Sequence, residues 1–117
     1  MNFDFSTELK MFQRAVRDFC EKEIKPHASE ADESGSLPWT AIHKMPGLGL
    51  SGLQVDEEYG GANMDTLAAS IAVEEIGRVC GSTGLSISAH NGLGCGPIQR
   101  WGTAEQKAQW LPKLTDR

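Results

Sequence analysis

The chain has 117 residues, of which 39% are hydrophobic and 23% charged, a composition that favours one folded domain and excludes intrinsic disorder. The 11 Lys and Arg residues against 16 Asp and Glu give a formal net charge of -5 without a basic cluster, which argues against nucleic-acid binding. Apolar runs are short and the N-terminus lacks a signal-peptide pattern, so we expect a cytoplasmic protein that does not enter a membrane.

The first part of the chain has the pattern of a bent amphipathic helix. Apolar residues recur at three- and four-residue steps over residues 6–25, which predicts a helix with one buried face. Ser6 or Thr7 can accept a hydrogen bond from a free N–H at its start. Pro26 has no N–H to donate, so we predict a kink there and a short second helix that continues through about Glu33.

A third helix and a long irregular segment are predicted next. Pro38 suits the first position of a helix, because its missing N–H would be unpaired there in any residue. Trp39 and Ile42 would form the buried face of this helix, which ends near Pro46. Residues 47–61 contain five glycines and an acidic stretch, and their length as a connection indicates a packing or functional role.

Two apolar helices are predicted in the centre of the sequence. Residues 65–80 are apolar on almost every side, which is typical of a mostly buried helix, with Glu74 and Glu75 expected on a solvated face. Neighbouring residues on a helix diverge by about 100°, so these two carboxylates cannot form a facing acid–base pair. A second helix is predicted over residues 82–93, where glycines at 92, 94 and 96 would end it.

A capping box predicts the last helix. Thr103 and Gln106 have the spacing at which each side chain can bond the other's backbone N–H. The helix would run towards Leu114, with Trp110 and Leu114 facing inward. No segment shows a sustained alternation of apolar and polar residues, so the predicted fold class is all-α, an orthogonal bundle of about five to six helices.

Residue patterns alone identify no catalytic or metal site. Cys20, Cys80 and Cys95 are widely spaced, which favours three reduced thiols over a disulfide or zinc site. The three histidines have no partner at ligand spacing. The glycine-rich residues 92–96 follow a predicted helix and lack the lysine of a phosphate-binding loop, so helix termination explains them better.

Two groups of motifs identify a family resemblance. The first combines Gly49–Leu53 and Glu57–Gly61 with a long alanine-rich helix that carries Glu74-Glu75. The second, in chain order, is His90–Gly94, Pro97-Ile98, Gly102-Thr103, Gln106-Lys107 and Trp110–Leu114. In this order and spacing the motifs resemble the N-terminal domain of the acyl-CoA dehydrogenase family over almost the whole chain. The sequence departs from the usual pattern at Asp56, where a proline is common, and at Pro46, where the third helix often continues.

The resemblance implies that residues 1–117 are the helical N-terminal domain of a longer flavoenzyme. A middle β-domain and a helical C-terminal domain would hold FAD and the catalytic glutamate. That glutamate would remove the α-proton of an acyl-CoA while hydride passes from the β-carbon to the flavin, and an electron-transfer flavoprotein would accept the electrons. Such enzymes form homo-oligomers, here expected to be tetramers. The chain alone would then contain no catalytic residue, show no activity and not retain FAD.

The resemblance also assigns a role to the helix over residues 82–93. By position, Ser86, Ala89, His90 and Leu93 would face the acyl chain as one wall of its pocket, although the same residues could instead belong to the core of the domain. Acyl-CoA oxidases and flavin monooxygenases share this architecture and remain alternatives. A free-standing helical interaction domain is a third.

Overall fold

The computed structural model describes residues 1–116, and within them the fold is all-α with no strand, as predicted. The α-helices are α1 (Thr7–Phe19), α2 (Ala28–Ser34), α3 (Trp39–Ile42), α4 (Thr66–Val79), α5 (Gly81–Ala89), α6 (Gly96–Trp101) and α7 (Ala104–Thr115). Short π and 3-10 turns join several of them into longer rods. The capping box predicted at Thr103 and Gln106 is present at the start of α7.

The predicted kink joins α1 and α2 into one bent rod. The Ser6 hydroxyl caps α1 by accepting from the N–H of Leu9 at 3.2 Å. After α1 the chain widens into a π turn over Cys20–Ile24 and then tightens into a 3-10 turn over Lys25–His27. The widening lies just before Pro26 because a proline ring collides with the carbonyl four residues earlier in a regular α-helix.

The main core lies where α4 is packed between α1 and α5. Its buried residues come from these three helices, the π turn after α1 and the segment that follows α2: Val16, Phe19, Cys20, Ile24, Ala41, Met45, Leu50, Leu53, Ala72, Ile76, Cys80 and Ile87. The backbones of α4 and α5 approach closely, since a Cβ added to Gly84 would lie 2.7 Å from the Cα of Gly77. Only glycine fits at Gly84 without moving one helix.

A smaller second core holds α7 against the irregular segment. Val55, Cys95 and Leu111 are buried in it, with Tyr59, Ile98 and Leu114 packed around them. The prediction that Trp110 faces inward is wrong, because its side chain is 47% exposed whereas Leu111 is fully buried. Trp39, expected on a buried face, is also 53% exposed. The capping box fixes where α7 starts, but the contact with Cys95 decides which side of α7 is covered.

The two adjacent glutamates of α4 have opposite environments. Glu74 is exposed as predicted, but Glu75 is 3% exposed, so the prediction of a solvated face is wrong for it. The guanidinium of Arg17 on α1 donates to both carboxylate oxygens, at 2.9 and 3.0 Å, and Arg78 donates at 3.3 Å. The hydrogen bonds from Arg17, ahead of those from Arg78, lower the pKa of Glu75 below its usual value. Glu75 therefore joins α1 to α4.

Replacing Glu75 by glutamine should destabilise the chain by about 1 to 2 kcal/mol at neutral pH, because it removes a buried charge bonded to two arginines that are partly hydrated. A carboxyl with a lowered folded pKa stabilises the fold above its unfolded pKa and loses that effect as the pH falls through the folded one. The stability difference between wild type and Glu75→Gln should therefore shrink below about pH 4. Urea titrations across pH test this, with Glu74→Gln as the exposed control. A difference that grows on acidification would contradict it.

None of the helices in residues 1–116 combines the length and the apolar character needed to cross a membrane.

Candidate functional site

The helix predicted over residues 82–93 is longer than expected. After α5 the chain enters a π turn over His90–Cys95 and continues directly into α6, so the prediction that glycines end the helix is wrong. These glycines do not adopt the positive φ of a helix-ending glycine, which the structure shows at Gly35, Gly49 and Gly60. The π turn again precedes a proline, Pro97, as the first one precedes Pro26.

One side of this rod is apolar and open. Leu85 and Leu93 are 72% and 79% exposed, and Ala89 between them is half-buried. Ser86 is also half-buried, and its hydroxyl donates to the carbonyl of Ser82 at 2.8 Å, which leaves it without a free donor. All four residues predicted to contact substrate, Ser86, Ala89, His90 and Leu93, are therefore at least partly exposed.

His90 is half-buried like Ser86 and Ala89, but its ring is hydrogen-bonded into the domain. Its Nε2 lies 2.9 Å from the carbonyl oxygen of Ser51 and 2.9 Å from that of Leu114. Both partners can only accept, so Nε2 carries a proton and is shared between them. The imidazole thereby ties the π turn to the irregular segment and to the end of α7.

Asn91 is a functional candidate that the sequence analysis missed. Its amide nitrogen donates to the carbonyls of Leu50 and Ile87 at 2.9 and 3.0 Å. Its amide oxygen accepts from the N–H of Leu53 at 2.9 Å. Two features of the sequence could have indicated this role. Asn91 is a polar residue in a mostly apolar predicted helix, and the long glycine-rich segment has backbone groups that need hydrogen-bond partners.

The glycine-rich segment is a packed loop with its own backbone pairing. Ala62 and Met64 donate to the carbonyls of Gly52 and Leu53 at 2.8 and 2.7 Å, so the two arms of the loop cross at close range. A Cβ added to Gly61 would lie 1.9 Å from the carbonyl oxygen of Val55. The glycines of the Glu57–Gly61 motif therefore serve packing, and this loop is the surface on which the π turn rests.

The three cysteines are free and buried. Burial raises the pKa of Cys20 and of Cys95 to about 11, so both thiols stay protonated at neutral pH. Burial alone would also raise the pKa of Cys80, but hydrogen bonds from Ser82 and Thr83 to its sulfur bring it below the ordinary value. Within residues 1–116 no group of His, Cys, Asp or Glu side chains is arranged to hold a metal ion.

The open side of the rod carries two exposed leucines and a half-buried alanine. A stripe of aliphatic side chains on a helix whose other side is packed into the core can hold an apolar chain and exclude water. None of the side chains of this stripe, Leu85, Ala89 and Leu93, can act as an acid or a base.

Comparison with known proteins identifies the family. The acyl-CoA dehydrogenase N-terminal domain family matches residues 6–117, and the chain belongs to this family. A probable acyl-CoA dehydrogenase of Bacillus subtilis, YngJ, is 46% identical over 114 residues, which are 97% of this chain and 30% of that protein. The chain thus spans about a third of the length of this relative.

Solved structures of related enzymes share the fold. Butyryl-CoA dehydrogenase from Megasphaera elsdenii superposes with a TM-score of 0.89 at 30% identity, covering 99% of this chain and 31% of that one. An acyl-CoA dehydrogenase from Bacillus anthracis, solved in complex with FAD, gives a TM-score of 0.83 at 34% identity, covering 97% and 19%.

Proposed function

We propose that this chain is the N-terminal domain of an FAD-dependent acyl-CoA dehydrogenase and forms one wall of its acyl pocket. The observation that carries the proposal is the open aliphatic stripe of Leu85, Ala89 and Leu93 on a helix of this family's domain. A domain that used this helix only for its own core would bury the stripe. An isolated large apolar patch on a monomer usually marks a surface that another component covers.

The residues of the wall act by binding and by excluding water. Each methylene of an acyl chain that packs on the stripe contributes about 0.8 kcal/mol, so a few of them fix the depth of the chain. Half-buried Ala89 and Ser86 are small and leave room between the two leucines. The butyryl-CoA dehydrogenase among the similar structures supports a short acyl chain as the group that binds here.

The aliphatic stripe does not offer a binding site for FAD. A dinucleotide needs donors or cations for its pyrophosphate, whereas the stripe offers aliphatic groups and a serine hydroxyl that is already bonded. We therefore assign the flavin and the glutamate base to the middle and C-terminal domains of the same enzyme. We further propose that the full-length enzyme is a cytoplasmic tetramer. Its electron acceptor would be an electron-transfer flavoprotein.

The proposal is tested by measuring acyl-CoA dehydrogenase activity of the full-length protein and of the 117-residue chain. The full-length protein should purify with FAD and reduce an electron-accepting dye with acyl-CoA under anaerobic conditions. The 117-residue chain, incubated with FAD and the same thioesters, should lose the flavin on gel filtration and reduce no dye above background. Oxygen consumption in place of dye reduction would instead identify an oxidase. Dye reduction by the 117-residue chain would contradict the assignment of the base.

A further inference from the structure

The π turn at the proposed wall is anchored by two adjacent side chains. The bonds of His90 and Asn91 reach five backbone groups on three elements: the carbonyls of Leu50, Ser51, Ile87 and Leu114 and the N–H of Leu53. We infer that His90 and Asn91 are positioning residues, which set the acyl-chain preference of the wall by holding the π turn and not by contacting substrate. This inference rests on the proposed function.

The π turn decides which side chains face outward. It holds one more residue than an α-helical turn, so every later side chain is rotated by roughly 100° relative to an uninterrupted helix. With the extra residue where it is, Leu93 is 79% exposed on the stripe and Cys95 is 2% exposed in the second core. If the extra residue were at another position along the helix, Leu93 would turn away from the stripe and Cys95 would turn out of the second core.

The local sequence does not fix the position of the extra residue. Pro97 requires a widened turn ahead of it, but not at one particular residue. A Cβ on Gly92 or on Gly94 would meet no atom of a neighbouring element within 4 Å, so packing against other elements at these positions does not hold the turn. Glycine also has little preference for a helical winding. The anchors at His90 and Asn91 therefore hold the turn in register.

Loss of an anchor should change the substrate preference in one direction. A π turn that moves lets Leu93 leave its place beside Ala89, and the wall then fits the acyl chain less closely. A short acyl chain depends on a few methylene contacts, whereas a long one keeps contacts elsewhere along its length. The ratio of kcat/KM for butanoyl-CoA over octanoyl-CoA should therefore fall.

The experiment measures this ratio in the full-length enzyme purified with its flavin. Asn91→Ala should lower the ratio about tenfold, which is the effect of one or two methylene contacts in a pocket. Gln109→Ala removes an exposed amide on α7 and should leave the ratio within about twofold of wild type. Flavin content and thermal midpoint are recorded for each variant, so that a general loss of folding is separated from a change in preference.

Two His90 variants separate anchoring from direct contact. His90→Gln keeps an N–H donor at a similar reach and should keep the wild-type ratio, whereas His90→Ala should lower it. An unchanged ratio in an active Asn91→Ala enzyme overturns the inference, and so does an equal shift in both His90 variants. If Asn91→Ala does not fold, the ratios of the two His90 variants test the inference. If His90→Ala does not fold either, the two side chains are needed for folding alone, and the inference is overturned. A wild-type enzyme that oxidises no acyl-CoA at all refutes the proposed function, and the inference falls with it. A wild-type enzyme that oxidises other acyl-CoA thioesters but neither of these two overturns the inference alone.

Discussion

Gly61→Ala is expected to destabilise the chain by at least about 3 kcal/mol, because the new methyl group has no space. The added Cβ would lie 1.9 Å from the carbonyl oxygen of Val55 and 2.5 Å from the Val55 side chain. The obstacle is backbone and cannot rotate away. Relief would require separation of the two arms of the loop, with loss of the hydrogen bond from Ala62 to Gly52.

Gly47→Ala is the matched control, because Gly47 is exposed and a Cβ there would meet nothing within 4 Å. It should change the stability by less than about 1 kcal/mol. Chemical denaturation of the 117-residue chain measures both variants. Equal stability of the Gly61→Ala and Gly47→Ala variants would show that the two arms of the loop can separate without a loss of stability. The loop could then not hold the π turn in a fixed position.

Ile87→Asp should unfold the domain, whereas Leu93→Asp should leave its stability within about 0.5 kcal/mol. Ile87 is 5% exposed in the main core, so a carboxylate there would be buried without a partner, at a cost of more than about 4 kcal/mol. Leu93 is 79% exposed, and a charge at that position stays in water. Circular dichroism during thermal unfolding separates the two outcomes.

The Leu93→Asp chain should also bind less hydrophobic dye and self-associate less than wild type, because the apolar stripe is interrupted. In the full-length enzyme the same carboxylate would face the acyl chain, and kcat/KM should fall by at least about tenfold. Unfolding of the domain by Leu93→Asp would place this residue in the core and remove the support for the acyl wall.

The sequence by itself determined the features whose cause is local. Ser6 and Thr103 cap helices because a hydroxyl at that position bonds an N–H two or three residues later, whatever the rest of the fold. Pro26 bends the first rod because the missing N–H and the ring act on the preceding turn. The all-α class follows from apolar spacing in the same way.

Only the tertiary structure decided which side of each helix is covered. Glu75 and Trp110 lie on helices that the sequence predicts, but the position of α1 buries the first and the position of the second core exposes the other. Helix periodicity fixes the angles between side chains and leaves open the direction of the neighbour.

The candidate site depended on tertiary structure most of all. The glycines at 92, 94 and 96 indicate a helix end by local propensity, yet the helix continues through them as a π turn and then as α6. The Asn91 side chain bonds this turn to the backbone of Leu50 and Leu53 in the loop. His90 bonds Ser51 and Leu114, which are 39 and 24 residues away along the chain. Contacts over such separations form only when the whole domain is folded, because loop closure brings their partners together and no short stretch of sequence contains both.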